Sequence, residues 1–436
     1  MESGFTDTPV LRARRVVFRK RTVTLLAAMM AFGSPPAAAQ LYEEAGEPPP
    51  TAAASAPGDT AAVPLAEAER RLEAALAAHG RDSLELMPAL LDAAAARARA
   101  GNHEAAAAGY AEAVRLAETQ RGAMDLSLLE PLRGLGLNHN AAGNYARGAE
   151  ALERALHVLR VHSGLYHVGQ YDLLDALAGS YVGLGRNADA EFKQRAALQI
   201  VEREYGRDDV RIAPALGRLA AWYHEQGRFF EERETLDRQI SVLERAHGEH
   251  DTSLIAPLTA IALSYRLEYV PLPDGERALE RALAIHERNP GDAAGHAETL
   301  AALGDWQLVF KKRVRAFDTY AKAQALLAPE DIERLFGAPV PLLYVQPRAP
   351  AIDEDTPSED IAEGFVLVEY AVTESGRVDD IRLVESDPAE VMDHRVVKAL
   401  SGARFRPRIA NGEPVRTDGL RLRHTFSYRE RALASQ

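Results

Sequence analysis

Apolar positions recur every three or four residues through the middle of the chain, and single glycines interrupt them at regular intervals. The helical pattern covers 89–100, 132–142, 173–184 and 215–226, and resumes over 105–117, 149–161, 188–201 and 232–243. Such spacing gathers apolar side chains on one helical face. Gly101, Gly143, Gly185 and Gly227 separate the members of each pair and lie 42 residues apart. Val114, Leu156, Leu198 and Ile240 keep the same register. A fixed period of this size, with glycine where the chain must turn through a left-handed residue, predicts a helical repeat. Pro88, Pro131, Pro214 and Pro257 fall near the starts of first helices, where proline is tolerated. A fifth pair is predicted over 258–285, with its turn distorted around 270–275. A sixth over 299–327 has Lys311-Lys312 in place of glycine.

From Gly364 the period changes from helical to twofold. Val366, Val368, Tyr370 and Val372 alternate with Leu367, Glu369 and Ala371, which predicts a strand. Glu374-Ser375-Gly376 reads as a turn and 377–385 as a second strand. Asp387-Pro388-Ala389-Glu390 reads as a helix start, with an acid cap, a proline in the first position and a glutamate reaching back. The helix is expected to run to about Leu400, with Met392, Val396, Ala399 and Leu400 on one face. After Arg404-Phe405-Arg406-Pro407 and Gly412-Glu413-Pro414-Val415, residues 420–428 alternate as a last strand. Arg421, Arg423, Thr425 and Ser427 share one of its faces, and Leu420, Leu422, His424, Phe426 and Tyr428 the other.

The N-terminal end follows neither period. Six basic residues between Arg12 and Arg21 precede an apolar run of eleven, 22–32. Gly33-Ser34-Pro35-Pro36 breaks the run, and Ala37-Ala38-Ala39 before Gln40 has the small side chains of a cleavage site. This layout predicts a secretory signal over 1–39. The rival is a short membrane anchor, but spanning a bilayer takes about 20 apolar residues. Residues 40–65, rich in Ala, Pro, Glu and Gly, read as a disordered linker. The expected division is thus 1–39, 40–65, a repeat array over 66–328 and a C-terminal unit over 338–430.

Composition narrows the function. A net charge of −13 over 436 residues speaks against a general nucleic-acid binder, which needs a concentrated basic surface. With no cysteine there is no disulfide, thiol nucleophile or cysteine-ligated metal. His157, His162 and His167 are five apart, which turns each by about 140° from the last and gives no shared helical face. Acid pairs such as Asp208-Asp209 and Asp379-Asp380 are scattered. No nucleophile elbow or phosphate-binding glycine loop occurs. Trp222 and Trp306 fall within repeat helices and are read as core. No catalytic residue, metal or cofactor is expected.

Two resemblances rest on these patterns. The 42-residue pairs, with small residues such as Ala142 and Gly183 at crossings and Tyr110, Tyr145 and Tyr181 beside them, resemble tetratricopeptide repeats of the kinesin-light-chain kind. The resemblance implies a solenoid of antiparallel helix pairs with a groove that binds protein. Gly364 and its valine strand, Gly376, the segment 386–388, Arg404-Phe405-x-Pro407, Gly412-x-Pro414-Val415 and the closing strand with Phe426 resemble the C-terminal domain of TonB-family energy transducers. The usual Tyr-Pro before the first strand is replaced by separated Tyr344 and Pro347, followed by an acidic insert over 353–360.

The fold expected is therefore mainly α, a helical-repeat solenoid followed by a small α+β unit. The TonB resemblance implies that this unit holds an extended partner segment by β-augmentation, with Arg421, Arg423, Thr425 and Ser427 on the candidate binding strand. Arg404, Arg406, Arg408 and Arg416 add to a basic end suited to an acidic segment. The resemblance points to an envelope partner such as an outer-membrane TonB-dependent transporter, with the protein exported to the periplasm and the repeats making a second contact. Three rivals stay open: an inner-membrane-anchored energy transducer, a structural adaptor that has lost transporter binding, and a periplasmic enzyme with an unrecognised site.

Overall fold

The computed structural model describes residues 63–352 and 360–429. The expected signal or anchor over 1–39, most of the linker and most of the acidic insert lie outside them. Helix α1 (Leu65–His79) opens the array. Six helix pairs follow: α2 (Met87–Arg99) with α3 (His103–Arg121), α4 (Leu129–Ala141) with α5 (Tyr145–Ser163), and α6 (Tyr171–Gly183) with α7 (Asn187–Tyr205). The others are α8 (Ala213–Glu225) with α9 (Phe229–His247), α10 (Ile255–Leu267) with α11 (Pro273–Arg288), and α12 (Ala293–Val309) with α13 (Arg313–Gln324). A short α14 (Pro329–Phe336) ends the array.

The turn inside every pair has one construction. An amide past the first helix reaches back five residues, Asn102 to the Arg97 carbonyl at 2.9 Å, Asn144 to His139 at 2.8 Å, Arg186 to Tyr181 at 2.8 Å and Arg228 to Tyr223 at 2.8 Å. Val270 to Tyr265 at 3.0 Å and Lys312 to Gln307 at 2.7 Å repeat it in the last two pairs. This closure needs a left-handed residue. Gly227 supplies it at φ 65°, as its three counterparts do. In the fifth and sixth pairs Tyr269 (φ 57°) and Lys311 (φ 66°) take the same conformation.

The second helices of the first four pairs run beyond the predicted ranges, to Gly122, Gly164, Gly206 and Gly248, and with Gly80 after α1 these form a second glycine series also 42 apart. Gly206 has φ 96° and ψ 153°, a region closed to residues with a Cβ. Three residues on from each glycine, Ser83, Asp125, His167, Asp209 or Asp251 accepts an amide two residues ahead and starts a 3₁₀ turn.

One core runs from α3 to α11, through Leu128, Leu152, Leu174, Leu177, Ile212, Leu216 and Leu254, and separate clusters fill the N-terminal end and the sixth pair. Burying a leucine of this kind contributes about 1.5–3 kcal/mol. Trp222 belongs to the main core at 7% exposed, and Trp306, at 3%, is buried in a separate cluster with Ala262, Leu279 and Leu303. At the expected small-residue crossing, a Cβ on Gly183 would come within 2.3 Å of the Tyr145 ring.

The C-terminal unit holds β1 (Val340–Leu343), β2 (Ile361–Val372), β3 (Val378–Asp387), α15 (Asp393–Ser401), β4 (Arg404–Arg406), β5 (Arg408–Ala410), β6 (Glu413–Val415) and β7 (Thr417–Arg429). The main sheet is antiparallel in the order β3-β2-β7, and β1 pairs with β4 and β5 with β6. Val366, Val368, Tyr370, Leu422 and Phe426 face Met392, Val396 and Leu400 across one core. Tyr344 packs against the same core without the paired proline.

The helix start differs from expectation. Asp387 ends β3, and α15 begins six residues later, at Asp393. Glu390 does not reach back to a cap; it sits at φ 67°, and its amide donates to Asp393 Oδ2 at 3.0 Å. The Ser386 hydroxyl donates to the same oxygen at 3.1 Å. A carboxylate that gathers the preceding turn from inside the helix replaces the acid expected before it.

The two units share a core. Leu300, Leu308, Tyr320 and Phe336 of the array enclose Leu342 of β1 and Ile409 of β5. Within this junction Arg406 Nε lies 3.0 Å from Asp305 Oδ1, and both side chains are 7% exposed. Arg406 Nη1 also donates to the Leu335 carbonyl at 3.1 Å, and the guanidinium lies over the Phe336 ring. The Tyr320 hydroxyl donates to Asp305 Oδ1 at 2.8 Å, and Arg266 approaches Oδ2 at 3.6 Å. Arg406 is therefore removed from the basic surface expected of it.

Candidate protein-binding edge strand

β7 is thirteen residues long and, among the described residues, pairs with a neighbour on one side only. Its register with β2 runs from Ile361↔Arg429 to Val372↔Thr417. Leu422, His424 and Phe426 are buried, and Arg421, Arg423, Thr425 and Ser427 are exposed, so the alternation read from the sequence is the alternation in the sheet. The strand is held from β2, and its other edge is open among the described residues.

Neighbouring residues constrain the two arginines. Arg421 Nη2 lies 3.2 Å from Glu369 Oε2 on the strand beside it. Arg423 places its guanidinium 3.6 Å from the centre of the Phe365 ring. Both remain exposed, so their charges face solvent while their geometry is set by β2. His424, on the inner face, is shifted below the usual histidine range by burial and stacks along Phe426. Burial raises the Tyr344 hydroxyl to about 12, and Tyr370 is raised by burial and by Tyr344.

The rest of the expected basic end is dispersed. Arg416 is surrounded by Asp379 at 3.1 Å, Asp418 at 2.7 Å and Asp380, and so joins β3 to the start of β7. Arg404 turns back to the carbonyls of Gly402 and Ala403. Arg408 is exposed on the β5–β6 hairpin. The basic character of the edge thus narrows to Arg421 and Arg423.

Glycines at this site have steric reasons. A Cβ on Gly364 would meet the Asp387 carbonyl at 2.7 Å and the Phe426 ring at 2.8 Å, so β2 could not lie close to both neighbours. Gly376 (φ 74°) accepts the Phe405 amide at 2.9 Å and has no room for a side chain against the Phe405 carbonyl.

Residues 360–427 match the family model of the Gram-negative bacterial TonB protein C-terminal domain. Protein TonB of Pseudomonas aeruginosa is 42% identical over 53 residues, which are 12% of this chain and 16% of that protein. The match therefore spans well under a fifth of the curated relative's length. Among solved structures, the nearly identical TPR-like repeats of a putative kinesin light chain from Podosopora anserina align at a TM-score of 0.39 and 16% identity, over 46% of this chain and 96% of that one. BtubC (BKLC) from P. vanneervenii aligns at 0.35 and 19% identity, over 69% of this chain and all of that one. The chain joins a C-terminal unit that matches the TonB C-terminal model to an array of 42-residue helix pairs.

Proposed function

We propose that this chain is a non-enzymatic protein-binding protein of the cell envelope, and that its C-terminal unit takes an extended partner segment as an added strand along β7. The observation that carries this reading is a thirteen-residue strand paired on one side, with its inner face anchored in a core and its outer face polar. An edge of this kind offers a row of main-chain donors and acceptors, and side chains beside it supply choice. Arg421 and Arg423 favour a segment carrying carboxylates. The similarity to TonB suggests an outer-membrane TonB-dependent transporter as that partner. The array adds a second contact, and two tethered contacts raise effective concentration.

Thr425→Pro tests this directly, because proline removes a strand N–H and crowds an incoming strand. Binding of a candidate transporter segment should be lost, while the helical circular dichroism of the array is unchanged. Undiminished binding rejects the edge. A structural adaptor is the second reading, favoured by the core shared between array and C-terminal unit. It requires that no envelope segment bind even the unaltered chain. Export itself is decided by the mature N-terminus, measured as intact mass together with membrane fractionation; a soluble species beginning at Gln40 is the expected product.

A further inference from the structure

The turns of the last two helix pairs depart from the rule of the first four. Where four pairs use glycine, Tyr269 and Lys311 hold left-handed conformations that their side chains disfavour. The two turns are neighbours. The Tyr269 and Phe310 rings stack with centroids 5.6 Å apart, and Lys312 Nζ meets Glu276 Oε2 at 2.5 Å. Together they present Tyr269, Leu272 and Val314, which are 48%, 45% and 77% exposed. Val314 is the most exposed large apolar side chain among the described residues.

Lys311, Arg313 and Arg315 surround that apolar tip and are all exposed. Arg313 lies over the Phe317 ring, and none of the three has an ion-pair partner among the described residues. The acids of the adjoining turn are already engaged, Glu276 by Lys312 and Asp274 by Arg277 at 3.2 Å. Asp318 is exposed one turn along α13 from Val314, so the apolar edge carries three exposed cations against one nearby acid, on a chain of net charge −13.

We propose that this edge of the array is a contact surface for an anionic phospholipid bilayer. Tyr269 and Leu272 stand between the helices of the fifth pair, and Val314 stands in the first turn of α13, so the apolar groups sit where the array turns. A tyrosine beside aliphatic tips and flanking cations is the combination that settles at a headgroup boundary. The charges are complementary to anionic lipid, and each cation held near such a surface is worth about fivefold in partitioning. A bilayer contact here places β7 at a fixed distance from the membrane, because the sixth pair shares its core with the C-terminal unit.

The absence of cysteine allows one fluorophore to be placed in the full chain. An environment-sensitive label on Val314→Cys should shift to the blue with vesicles of phosphatidylglycerol in phosphatidylcholine, and the shift should reverse in high salt. Phosphatidylcholine alone should leave it unchanged. The same label on Phe192→Cys, exposed on α7, should not respond to either. Adding Lys311→Gly, Arg313→Gln and Arg315→Gln to the labelled chain should raise the lipid needed for half the shift about a hundredfold. Lys311→Gly alone should keep or raise thermal stability, since glycine suits the turn, and this separates loss of contact from loss of fold. A silent label on anionic vesicles overturns the proposal, as does an equal response on neutral ones. A shift with soluble polyglutamate but not with vesicles also overturns it, and assigns the edge to an acidic protein segment.

Discussion

At Gly206 the chain occupies a backbone region that only glycine enters without strain, and the contacts around the residue are otherwise empty. Gly206→Ala should therefore cost about 1–3 kcal/mol with no steric clash to blame, read as a lower urea midpoint of the array. The series to which Gly206 belongs has the same 42-residue period as the series inside the pairs, so both were present in the sequence. A glycine between two helical patterns announces a turn, whereas Gly206 follows a helix that could have ended several residues earlier. His424 shows a different limit. Its alternation placed it inward, but only the enclosing core lowers its proton affinity. A histidine kept neutral by folding takes up a proton more readily when unfolded. Stability should thus be unaffected above the ordinary histidine range and fall as pH drops below about 6.5. Burial shifts His139 and His286 of the array in the same direction, so His424→Phe should reduce the slope seen in thermal melts of the C-terminal unit and leave their share, and an unchanged slope there would remove His424 as a source.

Elements were legible where one period governed them. The first helices lie within a few residues of their predicted bounds, and β2 and β7 alternate as read, because each presents one face to a core and one to water. The start of α15 was not legible. Asp387, Pro388 and Glu390 satisfy every local rule for a helix N-terminus, yet β3 extends through Asp387 to stay paired with Phe365. Pairing along the sheet outweighs a local capping preference worth about 1 kcal/mol. The turn is gathered instead by Asp393, which accepts from Ser386 and Glu390. Asp393→Ala should lower the stability of the C-terminal unit by about 1 kcal/mol, whereas Glu390→Gln should leave it unchanged. Chemical unfolding followed by hydrogen exchange in α15 distinguishes the two, and the reverse order would restore the expected cap.

Across the whole molecule the decisive contact joins residues 101 positions apart, Arg406 and Asp305. No local pattern carries that information, and Arg404-Phe405-Arg406-Pro407 reads as surface when taken alone. Once buried, the cluster has one carboxylate facing two guanidiniums, Arg406 and Arg266, with Tyr320 completing its hydrogen bonds. Asp305→Asn would leave two cations enclosed without a counter-charge, a change of about 3–5 kcal/mol for a buried pair. Because repeats couple mainly to their neighbours, the loss should concentrate in α12, α13, β1 and β4 and spare α3 to α5. Hydrogen exchange would show it as faster exchange of β1 and β4 amides with α3 to α5 unaltered. Replacing Asp305, Arg406 and Arg266 together with leucine and methionines should recover much of the stability, since a matched apolar set avoids burying charge. If Asp305→Asn leaves β1 and β4 as protected as before, the ion pair is incidental and the shared apolar core alone unites the two units.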